Sequence, residues 1–396
     1  MDRRAFLTAV SAIALARVVR ASDLPNDLRI TRAVAFDLPC RRSKVAGKNA
    51  RLDVHGDRAT DRMLRLYTNS GLEGLGNCRA ETEAVPRLLG RDPFEFYRRS
   101  EQRIVGPLGA GTMPLWDLVG KLLNRPVYKL LGGAGPEQVP VYDGSIYFAD
   151  LLPQYAANWR DRICEEIDMG LDIGHRAFKI KIGRGAKWMQ RDEGDARDVE
   201  VVQLIRTHAG KDVLIGVDAN NGYDLAGAKR FLEKVGDVDL AFVEELFPET
   251  VEDCLALKQF ISDHGWATLL ADGETQHTLD AFKPFLAARA IDVFQGDMNR
   301  FGFEGILTEA AWAKAQALLV APHNWGSLVG YYMQLHIGRA ISNFYRAEHD
   351  PLTSRVLRAG GYDRKDGSST VPDAPGCGLS IDEKAFASEV NIRFDL

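Results

Sequence analysis

Three carboxylates stand at or just beyond the ends of short apolar runs: Asp218, Glu244 and Glu274. Runs of this kind are typical of buried strands. Carboxylate oxygens are hard ligands, and a set of three without cysteine or histidine favours Mg²⁺ over zinc. We therefore expect these residues to hold Mg²⁺ where successive strands end.

Two lysines, Lys179 and Lys181, alternate with Phe178, Ile180 and Ile182. Side chains two positions apart on a strand point to the same side, so both ammonium groups are predicted to enter one interior. Mutual repulsion and desolvation both lower an ammonium pKa. One of the two lysines is then able to act as a base near neutral pH.

A second acid/base group is predicted at His323, which follows an apolar run in the segment APHNW, while Asp297 ends the run before it. An aspartate that orients the imidazole would complete a dyad. Most of the other histidines are predicted to be structural, and His55 is a candidate for a lid. The polar strand-end residues Asn220 and Glu348 are expected to contact the substrate.

The elements that carry these residues repeat one theme, an apolar run followed by a polar turn and a helical stretch. Eight such runs predict a (β/α)8-type barrel, whose active site lies at the carboxyl ends of the strands. The runs are Val139–Tyr142, Ala177–Ile180, Val213–Val217, Leu240–Val243, Thr268–Ala271, Ile291–Phe294, Leu318–Ala321 and Ser342–Arg346.

The chain before the barrel is predicted to form a separate domain. Ile30–Leu38 and Met63–Tyr67 are predicted strands on either side of a polar, basic segment, Cys40–Arg58. Apolar residues from Glu81 to Leu131 recur at helical spacing. The glycine-rich stretch from Gly132 to Pro136 marks the domain boundary.

The N-terminus has the features of an export signal. Residues 1–21 combine Arg3 and Arg4, an apolar stretch from Ala5 to Ala16, and small residues near Ala21. That stretch is too short to span a bilayer, and its pattern resembles a twin-arginine signal, which exports folded proteins. We expect a periplasmic or otherwise exported protein, or a cytoplasmic one if the leader is no signal.

The composition excludes several classes of protein. The chain has 396 residues, 45% of them apolar and 27% charged, which is ordinary for a globular protein. A net charge of -5 lacks the basic footprint of a nucleic-acid binder. Five cysteines without a CxxC pair indicate neither a disulfide framework nor a thiolate zinc site. The expected partners are a small carboxylate substrate and further copies of the chain, with no membrane span.

Three further motifs join the strand-end residues: LWDLVGK from Leu115, LLGG from Leu130 and PGCGL from Pro375. Together they resemble the enolase superfamily, in its mandelate racemase and muconate lactonizing enzyme group, and more closely the mandelate racemase subgroup. The resemblance covers Leu28 to Leu396.

This resemblance implies an α/β fold of two parts. An α+β capping domain, residues 28–136 with 375–396, would close over a (β/α)7β TIM-type barrel, residues 137–374. The three strand-end carboxylates would bind Mg²⁺.

The resemblance also implies roles for the other strand-end residues. Lys181 would be one acid/base, and the dyad of Asp297 and His323 the other. Lys179 would contact the substrate carboxylate, and Glu348 would hydrogen-bond the enolate oxygen.

Two positions depart from the family pattern. The family has Glu-Glu-Pro where this chain has EELFP from Glu244, so the turn there is expected to differ. In the muconate-lactonizing branch the third ligand aligns with Asp272, which is the alternative to Glu274. The basic segment Cys40–His55 matches no known specificity loop, so the substrate stays unidentified.

Members of the group share removal of the proton α to a carboxylate, which needs a metal and cationic or protonated donors to stabilise the enolate. We expect dehydration of a sugar acid to a 2-keto-3-deoxy acid. Racemisation or epimerisation of a hydroxy acid by the same two bases is the alternative. A non-catalytic sugar-acid binding protein is a third hypothesis, but binding alone needs no paired lysines.

Overall fold

The computed structural model describes residues 24–80 and 82–396. The predicted twin-arginine signal, residues 1–21, lies outside them. Within the described ranges, no helix is both long and apolar enough to cross a membrane.

An antiparallel sheet begins the described chain. Strand β1 (Ile30–Ala46) pairs with β2 (Gly56–Thr68), which pairs with β3 (Glu73–Asn77). The strands extend further than predicted, because β1 continues into the basic segment as far as Ala46. Arg42 and Lys44, two apart on β1, are both buried there in ion pairs.

The region predicted as helical up to Leu131 is helical only in its second half. Its first half holds two short 3-10 turns and a small hairpin, because prolines and glycines interrupt regular hydrogen bonding. The elements here are β4 (Tyr97–Arg98), β5 (Arg103–Ile104), α1 (Met113–Leu122) and α2 (Val127–Leu130).

Helix α1 packs closely against β3 and ties two of the motifs together. A Cβ at Gly74 would lie 2.1 Å from the carbonyl oxygen of Pro114, so only glycine allows this approach. The buried carboxylate of Asp117 accepts hydrogen bonds from the N–H groups of Leu75, at 2.8 Å, and Cys377, at 2.7 Å. The LWDLVGK and PGCGL motifs therefore form one contact.

Eight parallel strands form the predicted barrel. Strands β6 to β12 lie side by side in sequence order, β13 pairs with β6, and a bridge between Val320 and Phe344 closes the ring. The eighth strand begins later than predicted, at Ala347. The strands are β6 (Val139–Ile146), β7 (Ala177–Lys181), β8 (Leu214–Asp218), β9 (Phe242–Glu244), β10 (Leu269–Asp272), β11 (Val293–Phe294), β12 (Leu319–Val320) and β13 (Ala347–His349).

One α-helix follows each of the first seven barrel strands, which confirms the (β/α)7β architecture. The helices are α3 (Trp159–Asp172), α4 (Arg191–Ala209), α5 (Leu225–Lys234), α6 (Val251–Asp263), α7 (Lys283–Ala288), α8 (Met298–Ala315) and α9 (Leu328–Ala340).

The chain after the barrel returns to the first sheet. β14 and β19 both pair with β1, β15 pairs with β18, and the hairpin of β16 and β17 lies beside β6. The predicted domain bounds stay predictions. The elements are β14 (Leu352–Thr353), β15 (Leu357–Ala359), β16 (Arg364–Lys365), β17 (Ser368–Ser369), β18 (Leu379–Ile381), α10 (Glu383–Glu389) and β19 (Asn391–Asp395).

Candidate active site

The three predicted metal ligands lie together at the carboxyl ends of adjacent strands. Asp218 and Glu244 end β8 and β9 and are partners in the strand register, while Glu274 stands two residues beyond β10. One oxygen from each carboxylate lies within 4.8 Å of the others. Asp218 and Glu244 are completely buried.

This carboxylate cluster fits a divalent cation. Oε2 of Glu274 is buried and accepts no hydrogen bond, and its charged neighbour is Nε2 of His323, 3.1 Å away. Burial, opposed by Lys179 but reinforced by Asp218, raises the pKa of Glu244 to about 8. Oxygen donors and crowded negative charge are what Mg²⁺ requires of a site. Asp272, the alternative third ligand, is not in this group of three; its Oδ1 accepts the N–H of Gly273 at 2.7 Å.

Lys179 is surrounded by carboxylates. Its Nζ lies 2.6 Å from Oε1 of Glu244, 2.8 Å from Oε1 of Glu348 and 3.2 Å from Oδ2 of Asp218. Burial alone would lower the pKa of Lys179, but Glu244 and Glu348 outweigh it and raise that pKa well above its usual value. The prediction of a lowered ammonium pKa is wrong for Lys179, because its neighbours are anions.

Lys181 occupies a different position in the same interior. Its Nζ donates a hydrogen bond to Oδ2 of Asp218 and lies 5.3 Å from the centre of the Tyr147 ring. The two ammonium groups together outweigh burial and lower the pKa of Asp218. Because the three N–H groups of Lys179 face three carboxylates, Lys181 is the lysine better placed to exchange a proton.

The Asp–His pair has the geometry of a dyad. Nδ1 of His323 lies 2.8 Å from Oδ2 of Asp297, whose Oδ1 also caps α8 by accepting the N–H of Arg300. Nε2 of His323 lies 3.1 Å from Oε2 of Glu274. Burial would lower the pKa of His323, but Glu274, Asp297 and Glu348 raise it to about 10. The imidazole is therefore held as a cation that is able to donate a proton.

Both carboxylate oxygens of Glu348 have partners. Oε1 contacts Lys179, and Oε2 accepts the N–H of Asn324 at 2.8 Å. The backbone N–H and C=O of Glu348 are both bonded to the side-chain amide of Gln334. This arrangement fixes the carboxylate beside the cluster.

Asn220 turns toward a residue that the sequence analysis did not assign. Its Nδ2 donates to Oε2 of Glu245 at 3.1 Å, and its Oδ1 is buried without a partner. Asn220 and Glu245 both have positive φ angles, 43° and 42°. Burial and the nearby Glu274 and Asp218 raise the pKa of Glu245 to about 11.

Gln295 is another site residue that sequence reasoning missed. Its Nε2 donates to Oε2 of Glu244 at 2.6 Å. The sequence feature that could have identified Gln295 is its position directly after β11, in the segment QGD that ends at Asp297. A neutral amide among charged residues gave no chemical reason to select it.

A segment between β1 and β2 reaches across the barrel mouth. Lys48 C=O accepts the N–H of Phe148 at 2.9 Å, and the C=O of Asn49 accepts Nε1 of Trp188 at 2.6 Å. The ring of His55 lies 4.7 Å from that of Tyr147. This places His55, the candidate lid residue, at the mouth.

Comparison with known proteins gives consistent results. A family model described as enolase C-terminal domain-like matches residues 162–385. D-galactarolactone cycloisomerase of Agrobacterium fabrum is 26% identical over 365 residues, which cover 83% of this chain and 91% of that enzyme. Arabinonate dehydratase of Saccharolobus solfataricus is 28% identical over 287 residues, 72% of this chain and 71% of that enzyme.

A solved structure of galacturonate dehydratase from Geobacillus sp., in complex with D-galacturonate and 5-keto-4-deoxy-D-galacturonate, superposes with a TM-score of 0.83. It is 29% identical and covers 94% of this chain and 100% of its own. A mutant of the Geobacillus enzyme was solved in complex with Mg. The family match spans more than half of the chain, and this protein therefore belongs to the enolase superfamily, in its mandelate racemase and muconate lactonizing enzyme group.

Proposed function

We propose that this protein is a Mg²⁺-dependent hydro-lyase that dehydrates a sugar acid to a 2-keto-3-deoxy acid. One observation carries the proposal: two groups able to transfer protons contact opposite ends of one carboxylate cluster. Lys181 contacts Asp218, and His323 contacts Glu274. A substrate carboxylate at the cluster would present its α-carbon to both groups.

The residues that would hold the metal are Asp218, Glu244 and Glu274. Mg²⁺ bound there supplies positive charge that stabilises the substrate carboxylate as negative charge develops on it. Lys179 holds Glu244 and Glu348 in place and adds a buried positive charge. Gln295 fixes the second oxygen of Glu244.

The proton steps use the two groups in different roles. Lys181 takes the α-proton, and the electron pair of the broken C–H bond passes into the enolate. His323, whose Nδ1 lies 2.8 Å from Asp297 and whose Nε2 lies 3.1 Å from Glu274, gives its proton to the 3-hydroxyl. The C–O bond then breaks, water leaves, and the resulting enol tautomerises to the 2-keto acid.

One relative in sequence and one solved structure support this choice of reaction. Arabinonate dehydratase and galacturonate dehydratase both eliminate water from sugar acids, as their names state. Their similarity covers 72% and 94% of this chain, respectively.

The test is a screen of mono- and dicarboxylic sugar acids with the full-length protein and Mg²⁺, followed by assay of 2-keto acid formation. At least one acid should give a 2-keto acid, and both Lys181→Ala and His323→Asn should abolish its formation. Lys211→Ala and His208→Asn, at exposed positions, are matched controls that should retain activity. Activity that survives in both site variants would refute the proposed roles.

A racemase or epimerase is the second candidate, since two acid/base groups at opposite ends of the cluster also suit proton removal on one face and return on the other. The similar cycloisomerase shows that isomerases occur among the relatives. Polarimetry of the same reactions decides the question: optical rotation that changes without 2-keto acid would favour the isomerase.

We also propose that residues 1–21 direct export by the twin-arginine route. The paired Arg3 and Arg4 before an apolar stretch support this. Cell fractionation should find a mature chain that begins near Ser22 in the exported fraction. Full-length protein found only in the cytoplasm would refute it.

The proposal includes two features of the whole molecule. The chain forms a homo-oligomer, and it has a capping domain of residues 28–136 with 375–396 over a barrel of residues 137–374. Leu52 and Val54 beside the barrel mouth are 57% and 45% exposed, which suits contact with another copy. Light scattering should give a mass that is a multiple of 43.9 kDa. Limited proteolysis should cut near residue 136.

A further inference from the structure

Three aromatic side chains form one wall beside Lys181. The rings of Tyr147 and Trp325 stack with their centres 4.5 Å apart, and the ring of His55 meets both edge-on, at 4.7 Å and 5.8 Å. Lys181 lies 5.3 Å from the Tyr147 ring. Residues from the segment between β1 and β2 and from two barrel loops thus meet next to the proposed base.

The contacts of His55 determine which ring nitrogen carries its proton. Nε1 of Trp325 lies 3.3 Å from Nδ1 of His55, and an indole N–H only donates hydrogen bonds. Nδ1 must therefore accept, which leaves the proton of the neutral ring on Nε2. Nε2 is buried and has no hydrogen-bond partner.

The surroundings keep this imidazole uncharged. Burial, with the positive charges of Lys181 and Arg42, lowers the pKa of His55 to about 4. At neutral pH the ring offers one N–H donor and no positive charge. A buried donor without a partner is costly, and an acceptor on a bound ligand would relieve that cost.

Three cations of the adjoining segment already have carboxylate partners. Arg42 forms a two-pronged ion pair with Asp350, at 2.8 Å and 2.5 Å. Lys44 lies 2.7 Å from Glu166. Lys48 lies 3.0 Å from Asp53 and over the ring of Trp188. A second carboxylate at this wall would lose its hydration without gaining one of these three cations as a partner.

We propose that the Nε2–H of His55 donates a hydrogen bond to a hydroxyl of the substrate, and that the wall of His55, Tyr147 and Trp325 selects sugar acids with one carboxylate over those with two. The single neutral donor of His55 suits a hydroxyl, and the contacts with the rings of Tyr147 and Trp325 hold that donor in place. The selection of a monocarboxylic substrate rests on the proposed function.

The first test measures the tautomer, which does not depend on activity. The ¹⁵N NMR spectrum of histidine-labelled enzyme at pH 7 should show His55 with a protonated Nε2 and an unprotonated Nδ1. Trp325→Phe keeps a ring but removes the donor, and it should shift the Nδ1 resonance. A protonated Nδ1, or an imidazolium, would overturn the assignment.

The second test measures binding by calorimetry with Mg²⁺ present, using six-carbon aldonates and the aldarates of the same configuration. The wild type should bind its best aldonate at least ~10-fold more tightly than the matching aldarate. His55→Phe should weaken aldonate binding by roughly three- to tenfold, the effect of one lost neutral hydrogen bond, and His55→Gln, which keeps an N–H donor, should restore part of it.

Kinetics separate this role from a structural one. With the best aldonate, His55→Phe should raise KM by a similar factor and leave kcat within ~2-fold, because the groups that transfer protons are untouched. An enzyme that prefers the aldarates, binds none of the acids, or is unaffected by His55→Phe contradicts the inference. Selective binding of an aldonate without 2-keto acid formation would instead refute the dehydratase and leave the role of His55 standing.

Discussion

Oε2 of Glu274 and Nε2 of His323 lie 3.1 Å apart, which joins the proposed metal ligands to the proposed acid. A change at Glu274 therefore disturbs the charge on the histidine as well as the carboxylate cluster. Variants of Asp218 and Glu244, which do not contact His323 within ion-pair distance, test the metal site more cleanly.

We predict that Asp218→Asn and Glu244→Gln each lower the affinity for Mg²⁺ by at least ~10-fold, because each removes one of three anionic oxygen donors. Isothermal titration with Mg²⁺ measures this directly. Asp272→Asn is the matched control, and it should change the affinity much less, since Asp272 lies outside the cluster of three. A larger loss of Mg²⁺ affinity in Asp272→Asn than in Glu274→Gln would move the third ligand to Asp272.

A second prediction concerns the buried ion pair of Arg42 and Asp350, which joins β1 to the residues after β13. Arg42→Met should destabilise the protein by about 3–5 kcal/mol, because it leaves a buried carboxylate unpaired. Chemical denaturation measures the loss.

The exposed pair of Lys129 and Asp373 is the control for that experiment. Lys129→Met should leave the unfolding midpoint almost unchanged, because solvent screens exposed charges. Equal losses in the two variants would show that burial of Arg42 is not the cause.

A third prediction uses Glu309, a fully buried residue of α8 whose Oε1 accepts the N–H of Gly296 at 3.0 Å. Burial raises its pKa to about 8 from an ordinary value of 4.5. The folded state therefore keeps a proton that the unfolded chain loses above pH 4.5, so Glu309 makes the protein less stable as the pH rises toward 8. Glu309→Gln keeps the acceptor and removes this effect.

The variant should gain stability relative to the wild type by about 1.4 kcal/mol per pH unit between pH 5 and 8. Denaturant unfolding at several pH values measures the difference. A constant difference across this range would contradict a raised pKa. Glu309→Leu, which loses the acceptor, should also lower kcat, because Gly296 links Gln295 to Asp297.

Much of the barrel was predictable from local pattern. Each apolar run indicates a buried strand. The polar residue that ends the run marks the carboxyl end of the barrel, as Lys181 and Asp218 do. The eighth run was misplaced because Phe344 and Tyr345 are apolar yet only bridge to β12, while the paired strand starts at Ala347.

The charges within the site were less predictable, because they depend on partners far apart in the chain. Lys179 contacts Glu244, which is 65 positions away in the sequence. That contact raises the pKa of Lys179, whereas the sequence pattern predicted that it would be lowered. His55 meets Trp325 across 270 residues, and no local pattern reports which of its nitrogens carries the proton.

The most direct test of the central claim is exchange of the α-proton in D₂O, followed by ¹H NMR, with the sugar acid that the screen identifies and Mg²⁺ present. If Lys181 takes the α-proton and His323 protonates the leaving hydroxyl, Lys181→Ala should abolish exchange, while His323→Asn should exchange the α-proton without forming 2-keto acid. Exchange and 2-keto acid formation at wild-type rates in both variants would contradict the account.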